Sequence, residues 1–186
     1  FIGKNDKIGA DQAAVDYMRS EFNKIDMFGK IVIGEGEMDE APMLYIGEEV
    51  GTKNGQKLDI AVDPLEGTNF VANNLPNSFS MMAATEQNNL FFAPDTYMEK
   101  IAIGSNLPKN LVDLDNSTEE NISLLADAKG RKPSELTVCV LERSRHNKII
   151  SSLKKMNVKL KLISDGDVSG IINVVDNNSP VDMYMG

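Results

Sequence analysis

Asp59-Ile60-Ala61-Val62-Asp63-Pro64-Leu65-Glu66-Gly67-Thr68 reads as a strand that runs into an acidic turn and then opens a helix. Leu58, Ile60 and Val62 alternate with Asp59 and Ala61, the period of a strand with two distinct faces. Pro64 lacks the N–H a ladder needs, so the strand is expected to stop there. Asp63 and Glu66 then stand at a strand's carboxyl end, where open α/β sheets place ligands. Gly67 lets a ligand approach the backbone, and free N–H groups of the following helix attract an anion. Two carboxylates facing an anion site call for a cation between them, and a divalent metal holding a phosphate is the economical reading.

A second acidic segment points the same way. The short apolar strand Ile31–Ile33 runs into Gly34-Glu35-Gly36-Glu37, where the glycines leave the Glu35 carboxylate exposed. Asp39, Glu40, Ala41 and Pro42 have the look of a helix start, with acids in the first turn and a proline near its first position. That helix is expected from about Glu40 to Val50. A third carboxylate, Asp11, heads an amphipathic helix over Asp11–Ile25, whose apolar stripe is Val15, Met18, Phe22 and Ile25. Hard cations such as Mg²⁺ or Mn²⁺ take oxygen ligands of this kind. Residue by residue the plainer readings stand beside this one: a helix cap for Asp11, a solvated turn for Glu35, a strand-to-helix connection for Asp63–Thr68.

Outward from these segments, Asn77–Thr85 reads as a further strand, and Phe91–Phe92 and Tyr97–Ile103 as extended pieces of an antiparallel or mixed sheet. Gly104–Asn116 is a loop rich in Asn, Asp and Pro. Ser117-Thr118-Glu119-Glu120 carries the spacing of a capping box and opens a helix to Lys129. From Lys132 onward strands alternate with helices: Leu136–Leu141, Ser144–Met156, Val158–Ile163, Asp167–Val175 and Val181–Tyr184. Val168, Ile171, Ile172 and Val175 are spaced for one buried face of the last helix. The expected class is α/β, with an α+β metal-binding region over residues 1–104 and an α/β substrate-binding region over residues 117–186.

The 186 residues are 41% hydrophobic and 25% charged, ordinary for a globular protein with one substantial core. The net charge of −9 argues against nonspecific binding to nucleic acid or membranes, and no apolar run reaches spanning length. The single Cys139 excludes an internal disulfide, fits a reducing compartment, and reads as a small buried hydrophobe.

Arg143, Arg145, His146 and Lys148 make a basic cluster in this acidic chain, after a strand and at the opening of a helix. Arginine suits the oxygens of a phosphate. His146, the only histidine, reads as a solvated residue at the helix start. The Tyr97 hydroxyl suits a phosphate or sugar oxygen, although a tyrosine in a strand is more often half-buried packing. Asp165-Gly166-Asp167, between a strand and a helix, reads by itself as a turn and cap.

The block Ile31-Val-Ile-Gly-Glu-Gly-Glu-Met-Asp-Glu-Ala-Pro-Met-Leu-Tyr-Ile-Gly-Glu-Glu-Val-Gly51, with Asp59–Thr68, Ala93-Pro-Asp-Thr-Tyr-Met-Glu-Lys100, Arg143-Ser-Arg-His146 and Asp165-Gly-Asp167, resembles the class II, GlpX-type fructose-1,6-bisphosphatases along essentially the whole chain. Asp-Pro-Leu-Glu-Gly-Thr alone would indicate only the wider lithium-sensitive, metal-dependent phosphatase superfamily. The resemblance implies a layered αβαβα fold and hydrolysis of the 1-phosphate of fructose 1,6-bisphosphate, with sedoheptulose 1,7-bisphosphate as an alternative or second substrate. A looser alternative is another sugar- or inositol-phosphate phosphatase. A non-catalytic sugar-phosphate-binding fragment is the reading from outside the enzymes.

The resemblance also implies roles. Asp11, Glu35, Asp63 and Glu66 match metal ligands for Mg²⁺ or Mn²⁺, and Asp11, Glu35 and Thr68 are the catalytic set, with Thr68 orienting the attacking water. Glu66, Gly67, Thr68, Tyr97, Arg143, Ser144, Arg145, Asp165, Gly166 and Asp167 match the substrate site. Arg143 stands where the family also carries lysine, and Asn69 where many members carry a basic residue. The implied partner is a small-molecule sugar bisphosphate, bound by a homo-oligomer, dimer or tetramer. The implied place is the cytoplasm, or a plastid if the source is photosynthetic.

Family members continue past the position of Gly186 into a glycine-rich loop carrying Pro-Glu-Gly. The natural protein is therefore expected to run well beyond Gly186, and a chain ending there to have little or no phosphatase activity. Intact mass of the native protein checks this; a native mass equal to 20.4 kDa with full metal-dependent activity would refute it.

Overall fold

The computed structural model describes residues 1–36, 43–92 and 96–186. The chain divides into two compact units, Phe1–Thr96 and Tyr97–Gly186. Each carries a four-stranded mixed sheet, so the protein is a mixed α/β structure with five α-helices among the described residues.

The first unit opens with α1 (Lys7–Phe22), capped by Asp6, whose carboxylate accepts from the Gly9 N–H at 2.8 Å. Val15 and Phe22 of α1 are buried with Met27, Ile31, Leu44, Val50, Ile60 and Val62 in one core. Ile25 lies beyond the helix and is exposed, so the apolar stripe ends at Phe22. The strands are β1 (Met27–Ile33), β2 (Glu49–Val50), β3 (Gln56–Glu66) and β4 (Phe79–Glu86), with α2 (Thr68–Ala72) between the last two. Their order is β2-β1-β3-β4. β1 and β3 are parallel, in register from Met27 opposite Gln56 to Ile31 opposite Ile60, while β2 and β4 pair antiparallel on the outside.

Two expectations are corrected here. β3 does not stop at Pro64 but runs to Glu66, and its pairing with β4 slips in register between Asp63 and Glu66. A proline is tolerated where the ladder is irregular. The helix expected over Glu40–Val50 is absent from its described part: Met43–Glu48 form bends and turns, and Glu49–Val50 are β2. Residues 37–42 lie outside the described residues. Packing overrides the acidic pattern, because Leu44 is buried at φ +56°. Glu48 is buried as well, with Arg19 Nε 2.5 Å from its Oε1 and the Leu44 N–H donating to its Oε2.

The second unit holds β5 (Ile101–Ile103), α3 (Thr118–Lys129), β6 (Thr137–Leu141), α4 (Asn147–Lys155), β7 (Lys159–Ile163), α5 (Asp167–Val175) and β8 (Met183–Met185). The sheet order is β5-β8-β6-β7. β8, β6 and β7 run parallel, and β5 adds antiparallel at the edge. The Ser117 capping box forms as expected. Side chains alternate across the sheet. Val138, Val140, Met183 and Met185 join Ile122, Leu125 and Leu153 on the α3 and α4 side. Cys139 and Tyr184 point the other way, to Val174 of α5. Cys139 is thus a buried small hydrophobe, and burial pushes its thiol up to about 11.

The face that α5 buries is Ser169, Gly170 and Val174, whereas Ile172 and Val175 are exposed. Small residues win because α5 lies against the Tyr184 ring: a Cβ on Gly170 would stand 2.6 Å from Tyr184 Cε2. At the opposite end of the sheet, buried Asp182 takes Lys129 Nζ at 2.5 Å, Arg131 Nη1 at 2.9 Å and the Thr137 N–H at 2.8 Å. No helix among the described residues is long and apolar enough to cross a membrane.

Gly170→Ala forces the helix away from a fully buried ring. Overpacking of this kind costs about 1–3 kcal/mol, so the variant is expected to melt at a clearly lower Tm by calorimetry. An unchanged Tm would show that the α5–Tyr184 contact yields freely.

Candidate functional site

In the first unit the acidic residues come from three elements. Asp11 lies one turn inside α1, and since Asp6 holds the cap, Asp11 is not a capping residue. Glu35 follows β1 by two residues and its N–H donates to Leu44 O at 3.0 Å. Gly34 permits that approach, for a Cβ there would meet the same carbonyl oxygen at 2.1 Å. Asp63 and Glu66 lie in the last part of β3, and the Glu66 Oε2 atom is shielded from solvent. Because β1 and β3 run parallel, their carboxyl ends fall at the same edge of the sheet.

The carboxylates of this edge act on one another. Burial, then the charges of Asp11 and Asp63, push the Glu35 carboxyl up to about 7. Burial also raises that of Asp11. Like charges in a shielded place favour the neutral acid unless a cation joins them. All the donors are oxygens, which a hard divalent ion fits. Among the described residues no three Asp, Glu, His or Cys side chains are gathered tightly enough to hold a metal ion. The fit is therefore one of donor chemistry and charge.

Gly67, at φ +79°, occupies the N-cap of the five-residue α2, and Thr68 is that helix's first residue. The Thr68 hydroxyl makes no hydrogen bond among the described residues. Its neighbour Gly67 takes the N-cap, and the Thr68 hydroxyl is available to a water or a phosphate.

In the second unit Tyr97 meets Arg145 through its ring, with the guanidinium 4.2 Å from the centroid, a cation–π contact. Arg143 donates from Nη1 to Glu142 O at 3.0 Å, and its Nη2 stands 3.8 Å from Asp165 Oδ1. Ser144 opens a short 3₁₀ turn to His146 that leads into α4. Gly166 caps α5 at φ +80°, and Asp167 is its first residue. Asp167 is engaged on both oxygens: the Tyr184 hydroxyl donates to Oδ1 and Lys100 Nζ lies 3.1 Å from Oδ2. Burial works to raise its pKa, but the bonds from Tyr184 and Lys100 and the nearby Arg145 outweigh it and hold the carboxyl below its ordinary value.

His146 corrects the sequence reading. It is 7% exposed, and its Nδ1 lies 2.7 Å from Leu141 O. Lys100 and Tyr184 are the residues that reading from sequence missed. The signal for Tyr184 was its place between Met183 and Met185, which sends it alone to the α5 side of β8.

The family of bacterial fructose-1,6-bisphosphatases, glpX-encoded, matches residues 1–186. A Prochlorococcus marinus protein named D-fructose 1,6-bisphosphatase class 2/sedoheptulose 1,7-bisphosphatase is 51% identical over 92% of this chain and 51% of its own length. Proteins of the same name from a Synechocystis species and from Thermosynechococcus vestitus are 45% and 46% identical over all of this chain and 57% of theirs. The chain spans about half the length of the curated relatives it matches.

Asp167 carries a pH signature. A carboxyl held below its ordinary 3.8 contributes stability that is fully present above that value and is lost as pH falls through the folded value. Asp167→Asn is expected to cost about 1–3 kcal/mol at neutral pH and to make stability fall less steeply in acid. Denaturant unfolding at a series of pH values checks this; parallel curves for the two proteins would refute it.

Proposed function

Because the chain belongs to the family of glpX-encoded bacterial fructose-1,6-bisphosphatases, we propose that it is part of a metal-dependent enzyme hydrolysing the 1-phosphate of fructose 1,6-bisphosphate to give fructose 6-phosphate and phosphate. The carrying observation is the acidic edge of the first unit, where burial and the charges of Asp11 and Asp63 hold Glu35 up to about 7. Asp11, Glu35, Asp63 and Glu66 would hold the ion, Mg²⁺ or Mn²⁺. Bound there, a divalent cation supplies Lewis acidity toward a phosphoryl oxygen and acidifies water.

The chain's own groups supply the rest. Thr68, whose hydroxyl both donates and accepts, orients the water for in-line attack on phosphorus. The backbone N–H groups of Gly67 and Thr68 serve phosphate oxygens. In the second unit Arg143, Ser144 and Arg145, with Tyr97 fixing the plane of Arg145, bind the 6-phosphate. Asp165, Gly166 and Asp167 read sugar hydroxyls. Water attacks directly, so no covalent enzyme intermediate is needed.

The family resemblance also supports membership of the lithium-sensitive phosphatase superfamily, assembly as a homo-oligomer and a cytoplasmic location. The net charge of −9 supports the absence of nucleic-acid and membrane partners. Hydrolysis of sedoheptulose 1,7-bisphosphate is a second reading, favoured by relatives whose name carries both activities.

Phosphate release by the complete polypeptide with Mg²⁺ or Mn²⁺, on both bisphosphates and on a monophosphate, tests the proposal. Asp63→Asn is expected to abolish turnover with the fold intact. Arg145→Ala is expected to raise KM for the bisphosphate about tenfold or more, the loss of a charge-assisted hydrogen bond, and to affect a monophosphorylated substrate far less. Near-normal turnover by Asp63→Asn after thorough chelation would overturn the metal role, and equal losses on both substrates would overturn the role of Arg145.

A further inference from the structure

Asn54-Gly55 is the one Asn-Gly step in the chain. It lies in the first unit between β2 and β3, with both residues exposed. The residues before it are tied to the chain entering β1: the Thr52 N–H donates to Ile25 O and the Lys53 N–H to Met27 O, each at 3.0 Å. After it, Gln56 pairs with Met27. Between these ties the step itself is loosely held. The Asn54 N–H reaches Thr52 Oγ1 only at 3.4 Å, and its side-chain amide reaches Thr52 O only at 3.5 Å. The Gly55 N–H donates to nothing among the described residues.

That nitrogen has chemistry open to it. Asparagine is a thermolabile residue, because the nitrogen of the next residue can close a five-membered ring on its side-chain carbonyl carbon. A glycine there presents no side chain to obstruct the closure. The fold also keeps the glycine in place. Gly55 stands at φ +89°, and a Cβ on it would meet Asp26 O at 2.6 Å. A larger residue would be strained and crowded at once, so the turn retains its reactive pair.

We propose that Asn54 is a site of spontaneous modification, which passes through a cyclic imide to aspartate and isoaspartate. Solvent base takes the Gly55 N–H proton, and the nitrogen attacks Asn54 Cγ. The new C–N bond closes a succinimide as the Cγ–Nδ2 bond breaks, and ammonia leaves with a proton from water. Water then opens the ring on either side. Cleavage of the Cγ–N bond gives aspartate. Cleavage at the main-chain carbonyl gives isoaspartate, with the main chain now running through Cβ and Cγ. Water is the only co-reactant, and nothing is oxidised or reduced. Either product puts a carboxylate where an amide had reached Thr52 O, beside the Lys53–Glu49 ion pair. Isoaspartate also lengthens the main chain by one methylene where Gly55 is pressed against Asp26, so it loosens the entry to β3.

Peptide mapping by mass spectrometry tests this on the complete polypeptide, aged in parallel as the folded protein and in urea. The Asn54 peptide is expected to lose its parent form first in both samples. It should yield two products of the aspartate mass, separable by chromatography, one of them fragmenting as isoaspartate. Asn77, Asn116 and Asn178, each followed by serine, are the internal comparison and are expected to convert later. Asn54→Gln keeps the amide but needs a larger ring, and is expected to stop conversion at this position. Earlier conversion at any serine-flanked asparagine of the folded protein, conversion of Asn54 in urea alone, a product set without isoaspartate, or undiminished conversion in Asn54→Gln would each overturn the proposal. The mapping does not read hydrolysis, so it stands or falls separately from phosphate release.

Discussion

The parallel pairing of β1 with β3 is the constraint on which the first unit depends. Ile31 opposite Ile60, both fully buried, fixes the register, and a slip of one residue would turn every side chain to the wrong face. With that register set, the chain leaves both strands at one edge and delivers Glu35 and Asp63 there. The arrangement is electrostatically unfavourable by itself: burial first, and then the charges of Asp11 and Asp63, raise the Glu35 carboxyl. The apolar packing of α1 on the strands, through Val15 and Phe22, holds the acids where they repel one another. That cost is the physical basis for proposing a cation at this edge.

The second unit solves a different problem with the same means. β8 lies between β5 and β6, so its three side chains are all buried. Met183 and Met185 fill the layer under α3 and α4, and Tyr184 alone crosses to α5. There its hydroxyl meets Asp167 at the first position of the helix. An ionised carboxylate also complements the positive end of a helix. Asp167 is therefore held by a buried tyrosine, a lysine from the segment before β5 and the helix itself.

What could be read from the sequence followed from periodicity and local capping. The alternation in Leu58–Val62, the capping box at Ser117 and the strand–helix alternation after Lys132 are each local, and each appears in the fold. The misreadings share a cause in tertiary context. Pro64 stays in β3 because the neighbouring pairing is irregular, which no spacing announces. Met43–Val50 looked helical from the acids before it, but Leu44 is buried in the core and Glu48 is held by the remote Arg19 and by the N–H of Leu44 itself. The buried face of α5 was assigned to its large residues, whereas close approach of Tyr184 selects Ser169 and Gly170. His146 looked solvated because its partner is a backbone carbonyl, invisible in the sequence. The carboxylates and arginines of the candidate site were legible as residue types at strand ends; the engagement of Asp167 by Lys100 and Tyr184 was not, since those residues are far apart along the chain.

The place of Cys139 has a consequence of another kind. Its side chain is sealed in the layer between the sheet and α5, and at an ordinary cellular pH nearly all of it is the un-ionised thiol. Thiolate is the species that attacks disulfides and is oxidised by peroxide. In that state Cys139 is a poor partner for glutathione, thioredoxin or peroxide. At this sulfur, the layer between the sheet and α5 is insulated from a passage from reducing to oxidising surroundings.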